Sequence, residues 1–230
     1  MSAYVVVREV HRAAPEILDG LAEAGVSTVH EADQRRGALA PRLRPIQQGA
    51  RIAGSAITVS CHPGDNLMIH AAVETCRPGD VLVVTTTSPS TDGMLGELLA
   101  TSLAAHGVRG VILDAGVRDV AELRAMGFPV WSRAISPQGT VKASPGSVNV
   151  PVVCGGQPVH PGDAVVADDD GIVVVPRERA EAVLAAARAR IADEAAKRSR
   201  FAAGELGVDM YDLRPLLAKL GVTYADRPLP

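Results

Sequence analysis

The chain has almost no lysine. Of its 23 lysines and arginines, lysine stands only at Lys142, Lys197 and Lys219. An enzyme that works through a Schiff base needs a desolvated lysine amine, so this scarcity counts against that chemistry. Aromatic residues make up only 3% of the chain, which leaves Val, Ala, Leu and Ile to build the core. Cysteine is sparse too. Cys61, Cys76 and Cys154 show no metal-ligand spacing, and an odd count without a signal-peptide pattern is expected of free thiols in a reducing cytosol. No apolar run approaches the roughly eighteen residues that would suggest a bilayer span. A net charge of -3 gives no electrostatic footprint for nucleic acid. The GxSxG, Walker A, post-strand GxGxxG and HExxH patterns are all missing, which removes common hydrolase, nucleotide-binding and zinc-protease readings. The expectation is a soluble, cytoplasmic protein with neither nucleic acid nor membrane as partner.

What is present is an ordinary globular composition, 47% hydrophobic and 21% charged over 230 residues. "APEILDGLAEAG" has helical apolar spacing and stops at Gly25, and "VSTVHEADQRRGAL" reads as a second short helix. "AGSAITVSC" alternates like a strand, and "NLMIHAAVET" follows a Pro-Gly-Asp turn as a helix. The middle alternates helix and strand, which predicts parallel β-α-β crossovers. Residues 140–176 turn to short Val-rich strands, and an Ala-rich helix then runs from Arg177 to about Ala203.

The stretch "GELLATSLAAHGVRGVILDAGVRDV" puts Glu97 at one end and the pair Arg118-Asp119 at the other. A helix starting near Gly96 would point the free amides of Glu97, Leu98 and Leu99 outwards, as a carboxylate site requires. Arg118 and Asp119 would lie just past the carboxyl end of a strand, where open α/β sheets bind ligands. Arg118 can fork onto a carboxylate or enolate, and Asp119 is a hard ligand for magnesium or manganese. From spacing alone, a plain helix start with Asp119 as its cap is the commoner arrangement.

Other acidic and histidine clusters are less specific. His62, Asp65, Asn66 and His70 allow a metal reading, although a histidine so placed is more often a core or interface residue. Asp168 to Asp170 suggest a calcium loop but lack the rest of its spacing, so a tight turn between strands is expected. His30, Glu31 and Asp33 have no decisive spacing. Glu194 lies in a charged helix, where a solvated face is the default.

Glu97 and Arg118-Asp119, with twenty residues between them, resemble the signature of the 4-hydroxy-4-methyl-2-oxoglutarate / 4-carboxy-4-hydroxy-2-oxoadipate aldolases. That family shares a fold with the regulator of ribonuclease E activity. "PGDNLMIHAA", "TDGMLGELLATS", "DAGVRDV", "FPVWSRAISPQGT", "GSVNVPVVCGG" and "PGDAVVADDDGIVVVP" carry the likeness along nearly the whole chain. The resemblance implies an α/β fold of the swivelling β/β/α type with helical N- and C-terminal extensions. It also implies a single domain over 1–230, its core about 27–176 and its helical extension about 177–230. Trimers or dimers of trimers are implied, with the active site at the subunit interface and a 2-oxo acid as substrate. Gly96, Glu97, Leu98 and Leu99 would bind the pyruvate carboxylate. Arg118 would contact substrate, Asp119 would bind Mg2+ or Mn2+, and Glu97 would reach the metal through water. Glu194 matches a glutamate contributed by the neighbouring subunit. The implied activity is metal-dependent aldol cleavage with oxaloacetate decarboxylation beside it. The rival is a non-catalytic ribonuclease-binding regulator, against which the long C-terminal extension counts. A methyltransferase label, carried by some relatives, finds no S-adenosylmethionine site here.

Overall fold

The structure, a computed structural model, describes residues 4–226. Two helices, α1 (Pro15–Ala24) and α2 (Val26–Ala32), meet at Gly25, whose positive φ of 80° makes the corner. After β1 (Arg44–Pro45) and β2 (Ile52–Cys61), α3 (Leu67–Val73) leads to β3 (Asp80–Thr86) and β4 (Gly93–Leu95). The middle of the chain is α4 (Glu97–Ala105), β5 (Gly110–Val117), α5 (Val120–Met126) and β6 (Val130–Ile135). The short strands β7 (Ser147–Val148), β8 (Val152–Cys154), β9 (Gln157–Val159), β10 (Ala164–Ala167) and β11 (Ile172–Val175) follow. The chain ends in α6 (Ala180–Ala202), α7 (Gly207–Met210) and α8 (Arg214–Lys219).

Seven strands lie in the order β1-β6-β5-β3-β2-β10-β11, with β4 added to β5 and β7 to β2. β2, β3, β5 and β6 run parallel, joined by the expected helical crossovers, while β1 at one end and β10 and β11 at the other pair antiparallel. All eight residues of β5 are buried, which is why a central parallel strand reads as one apolar run. One face of the sheet packs Leu113 and Val117 against Leu99, Leu103 and Leu123 of α4 and α5. The other face packs Ile112 and Trp131 against the β8–β9 hairpin. Trp131, the chain's one tryptophan, is fully buried and donates Nε1–H to the Asp168 carbonyl at 2.8 Å. A third cluster joins α1, α2 and the first turns of α6 to β10 and β11. Each fully buried Leu or Val there contributes about 1.5–3 kcal/mol.

The chain divides into two compact units, one ending at Arg188 and one starting at Ala189. The division falls inside α6, so two turns of the expected extension belong to the first unit. In those turns Ala180, Val183, Leu184 and Ala187 are buried at helical spacing. In the second unit no described residue is buried. Arg190–Glu194 and Asp193–Lys197 ion pairs lace its helix, and Tyr211 packs on Phe201 with ring centroids 6.2 Å apart. Among the described residues no helix is long and apolar enough to cross a membrane.

Candidate active site

β4 and β5 lie side by side and parallel, with Leu95 opposite Val117. The twenty residues between Glu97 and Arg118 are therefore one helix and one returning strand, and both ends of the loop arrive at the same edge. The amide of Arg118 donates to the Leu95 carbonyl at 2.9 Å. Gly96 opens α4 in an extended conformation, and a Cβ there would overlap Asp119 Oδ2, so the carboxylate sits where it does because position 96 has no side chain.

Asp119 stands at the first position before α5, but its side chain does not cap that helix. Its backbone is left-handed, φ 54° and ψ 42°, a conformation costing a non-glycine residue about 1–2 kcal/mol. The turn aims the carboxylate backwards, and Oδ2 accepts the Glu97 amide of α4 at 3.1 Å. The helix-capping reading of Asp119 is thus corrected: it seals the start of the preceding helix instead. Of the amides expected to cradle a carboxylate, Glu97's is taken, and those of Leu98 and Leu99 have no intrahelical acceptor. Arg118 Nε lies 3.6 Å from Asp119 Oδ2, and both side chains are about two-fifths exposed. The Leu98 side chain is 82% exposed beside them.

The segment after β6 runs along this edge. Ser136 donates its amide to Val117, and Gln138 accepts the amide of Gly93 at 2.7 Å. Asp65 ties the same segment down, accepting the amides of Leu67, Ala143 and Ser144 at 2.6–2.9 Å. Burial alone would push the Asp65 carboxyl up, but these amides outweigh it and hold its pKa below the ordinary value. Asp65 is therefore an anchor rather than a metal ligand. His62 and His70 are exposed, so the core reading of His70 is corrected as well.

The remaining acidic candidates serve the chain itself. Asp33 pairs with Arg179 at 2.8 Å and Glu31 with Arg35 at 2.9 Å. Asp168 accepts the amides of Val26 and Asp170, and Asp169 that of Gly49, in the tight β10–β11 turn. None of the three lysines is buried. Burial pushes the Cys61 and Cys76 thiols up to about 12, which leaves them protonated and poor nucleophiles.

Among the described residues no three His, Cys, Asp or Glu side chains converge on a common point. A divalent ion at Asp119 would have one hard carboxylate and otherwise water, a set that suits magnesium. Among the described residues Asp119 Oδ1 has no hydrogen-bond partner, so the carboxylate keeps an oxygen to offer. Gly96, Glu97, Leu98, Leu99, Arg118 and Asp119 are brought together in the first unit. Glu194 lies in the second unit, paired with Arg190 at 2.8 Å. Asp114, on β5, was not legible as a functional group. It is 7% exposed and binds Arg133 at 2.7 Å, Arg42 at 3.2 Å and the Gly155 amide at 3.0 Å.

Residues 14–174 match the RraA-like family, described as Aldolase/RraA. A Halalkalibacterium halodurans protein provisionally named 4-hydroxy-4-methyl-2-oxoglutarate aldolase is 31% identical over 173 residues, covering 75% of this chain and 82% of its own. A solved Streptomyces coelicolor protein, described as an unusual member of the RNase ES inhibitor RraA family, has a TM-score of 0.73 at 31% identity, over 82% of this chain and 100% of its own. The RNA-processing inhibitor RraA of Thermus thermophilus gives a TM-score of 0.58 at 31% identity, over 65% of this chain and 92% of its own. The matched segment contains Gly96 to Leu99, Arg118 and Asp119 and ends before Glu194. The chain belongs to the RraA-like family, and its mixed α/β sheet with packed helices is that family's fold.

Proposed function

We propose that the chain is a divalent-metal-dependent lyase that releases pyruvate from 4-hydroxy-4-methyl-2-oxoglutarate, 4-carboxy-4-hydroxy-2-oxoadipate, or both. The observation that carries this reading is the meeting of an open helix start, Arg118 and a half-satisfied Asp119 at the carboxyl end of β5. The provisional aldolase name of the H. halodurans relative supports it. Asp119 would hold Mg2+ or Mn2+, which when bound supplies Lewis-acid polarisation of the substrate's 2-oxo group.

The chain's own groups do the rest. The Leu98 and Leu99 amides, with the α4 dipole, hold the 1-carboxylate. Glu97, with Glu194 of a neighbouring copy, poises a water that takes the proton from the 4-hydroxyl. The C3–C4 bond then breaks, C4 becomes a carbonyl, and the bond's electron pair forms the C2–C3 double bond of pyruvate enolate. Arg118 stabilises the negative charge where it develops, on the enolate oxygen. A proton returned to C3 completes pyruvate; the other product is pyruvate or oxaloacetate. Oxaloacetate loses carbon dioxide through the same enolate, so the same site would decarboxylate it.

The structural likeness to RNase inhibitors favours a second reading, a non-catalytic ribonuclease-binding protein. One assay separates the two: pyruvate release from both substrates and from oxaloacetate, with chelator and after adding magnesium or manganese. Release that chelator stops and metal restores is expected. No release from any of the three at any metal concentration would leave the regulator reading in its place. The shared site has its own test. Inactive Arg118→Ala and Glu194→Ala proteins, unfolded and reassembled together, are expected to regain activity in mixed trimers or hexamers. Mixed oligomers with parental activity would place Glu194 outside the neighbour's site.

A further inference from the structure

At the β1–β6 edge of the sheet, a cavity of about 300 Å³ is lined by Arg42, Arg44, Arg124 and Arg133. Arg44 lies on β1 opposite Ser132 of β6, and Arg124 reaches in from α5. Among the described residues one carboxylate, Asp114, pairs with any of these four guanidiniums. Asp114 binds Arg133 through Nε and NH2 and Arg42 through NH2, which fixes both and leaves most of their donors unused. Arg44 and Arg124 meet no carboxylate among the described residues. They bond only to carbonyls, those of Asp170 at 3.3 Å and Ile46 at 2.6 Å. Burial by itself would push the Asp114 carboxyl up, but the Gly155 amide, Arg133 and Arg42 outweigh it and hold its pKa low. The carboxylate is therefore ionised and already committed, and the surplus positive charge faces the cavity.

Like charges drawn together along a concave surface raise one another's energy unless an anion joins them. The fork geometry of guanidinium matches carboxylate and phosphate oxygens. We propose that Arg42, Arg44, Arg124 and Arg133 form a binding site for a small oxyanion of several negative charges, a phosphoanhydride or a polycarboxylate, separate from the Arg118–Asp119 edge. The volume suits such a molecule, being about that of ten waters. The site stands apart from the lyase reading and needs none of its chemistry.

Calorimetric titration of the full chain in metal-free buffer at constant ionic strength tests it, with pyrophosphate and tricarballylate as probes. Saturable binding of at least one is expected, and which one binds names the source. Arg44→Gln combined with Arg124→Gln leaves Asp114 and its partners in place and should weaken that binding by at least about tenfold. Should that double variant not fold, Ile135→Glu sets a carboxylate at the cavity wall, at a position 62% exposed, and should weaken binding likewise. Arg118→Ala must leave binding unchanged. Three results would overturn the proposal: no saturable binding of either probe, binding indifferent to the cavity variants, or binding lost with Arg118.

Discussion

Asp114 and Asp119 stand five residues apart on and just after β5, each beside an arginine, and they end in opposite states. Asp114 is 7% exposed, lies within β5 and has partners on both oxygens. Asp119 is exposed, sits in a left-handed backbone turn, and binds through one oxygen while the other meets no partner among the described residues. A carboxylate whose bonds are complete can only hold the chain together. One kept half-complete, at a cost in backbone strain, has bonds left to give. The contrast points to chemistry at Asp119 and architecture at Asp114, although the two look alike as Asp beside Arg.

The largest expected effect falls on the architectural member. Asp114→Ala leaves Arg133 and Arg42 facing each other without their counter-charge and should cost about 3–5 kcal/mol in urea unfolding. A loss under about 1 kcal/mol would mean that the arginines are solvated and the comparison is misdrawn. Arg118→Ala should do the reverse. Its unfolding midpoint should stay put while kcat falls about a hundredfold, as when an oxyanion donor is lost. A change confined to KM would make Arg118 a uniform binding group. Gly96→Ala turns the Asp119 carboxylate away from the Glu97 amide, so a cost of about 1 kcal/mol is expected, with activity down about tenfold. Full activity in that variant would show that Asp119 works without the Glu97 amide.

The smallest effect is the acid limb of stability. Asp65 and Asp114 both titrate below their ordinary value in the folded chain. Their contribution is thus complete above the unfolded carboxylate pKa of about 4 and is lost as pH falls through the folded values. Unfolding midpoints measured against pH should drop on the acid side, and Asp65→Asn should flatten that drop. An unchanged acid limb would remove Asp65 from the account.

Local signals were legible in the sequence, and long-range partners were not. The helix starting at Gly96, the acidic β10–β11 turn and the parallel alternation follow from spacing and turn chemistry over a few residues. β5 runs through Val117, up to Arg118. Its Gly116 has no side chain because the Thr91 and Asp92 backbone passes so close that a Cβ there would collide with it. Asp119 reads as a helix cap because the next helix is adjacent in sequence, whereas its acceptor role is claimed by an amide 22 residues upstream. Asp114 carries no local mark, since its arginines lie 72 residues before it and 19 after it. His70 falls on the exposed side of α3, and nothing in "NLMIHAA" indicates which side packs.

The bond from the Glu97 amide to Asp119 also makes that amide a reporter. Its proton has one acceptor, the carboxylate on which a cation would draw. An amide resonance shifts with the strength of its hydrogen bond, and its exchange with deuterium follows how often that bond opens. Occupation of Asp119 should therefore register at the single Glu97 resonance, in a sample that never turns over substrate.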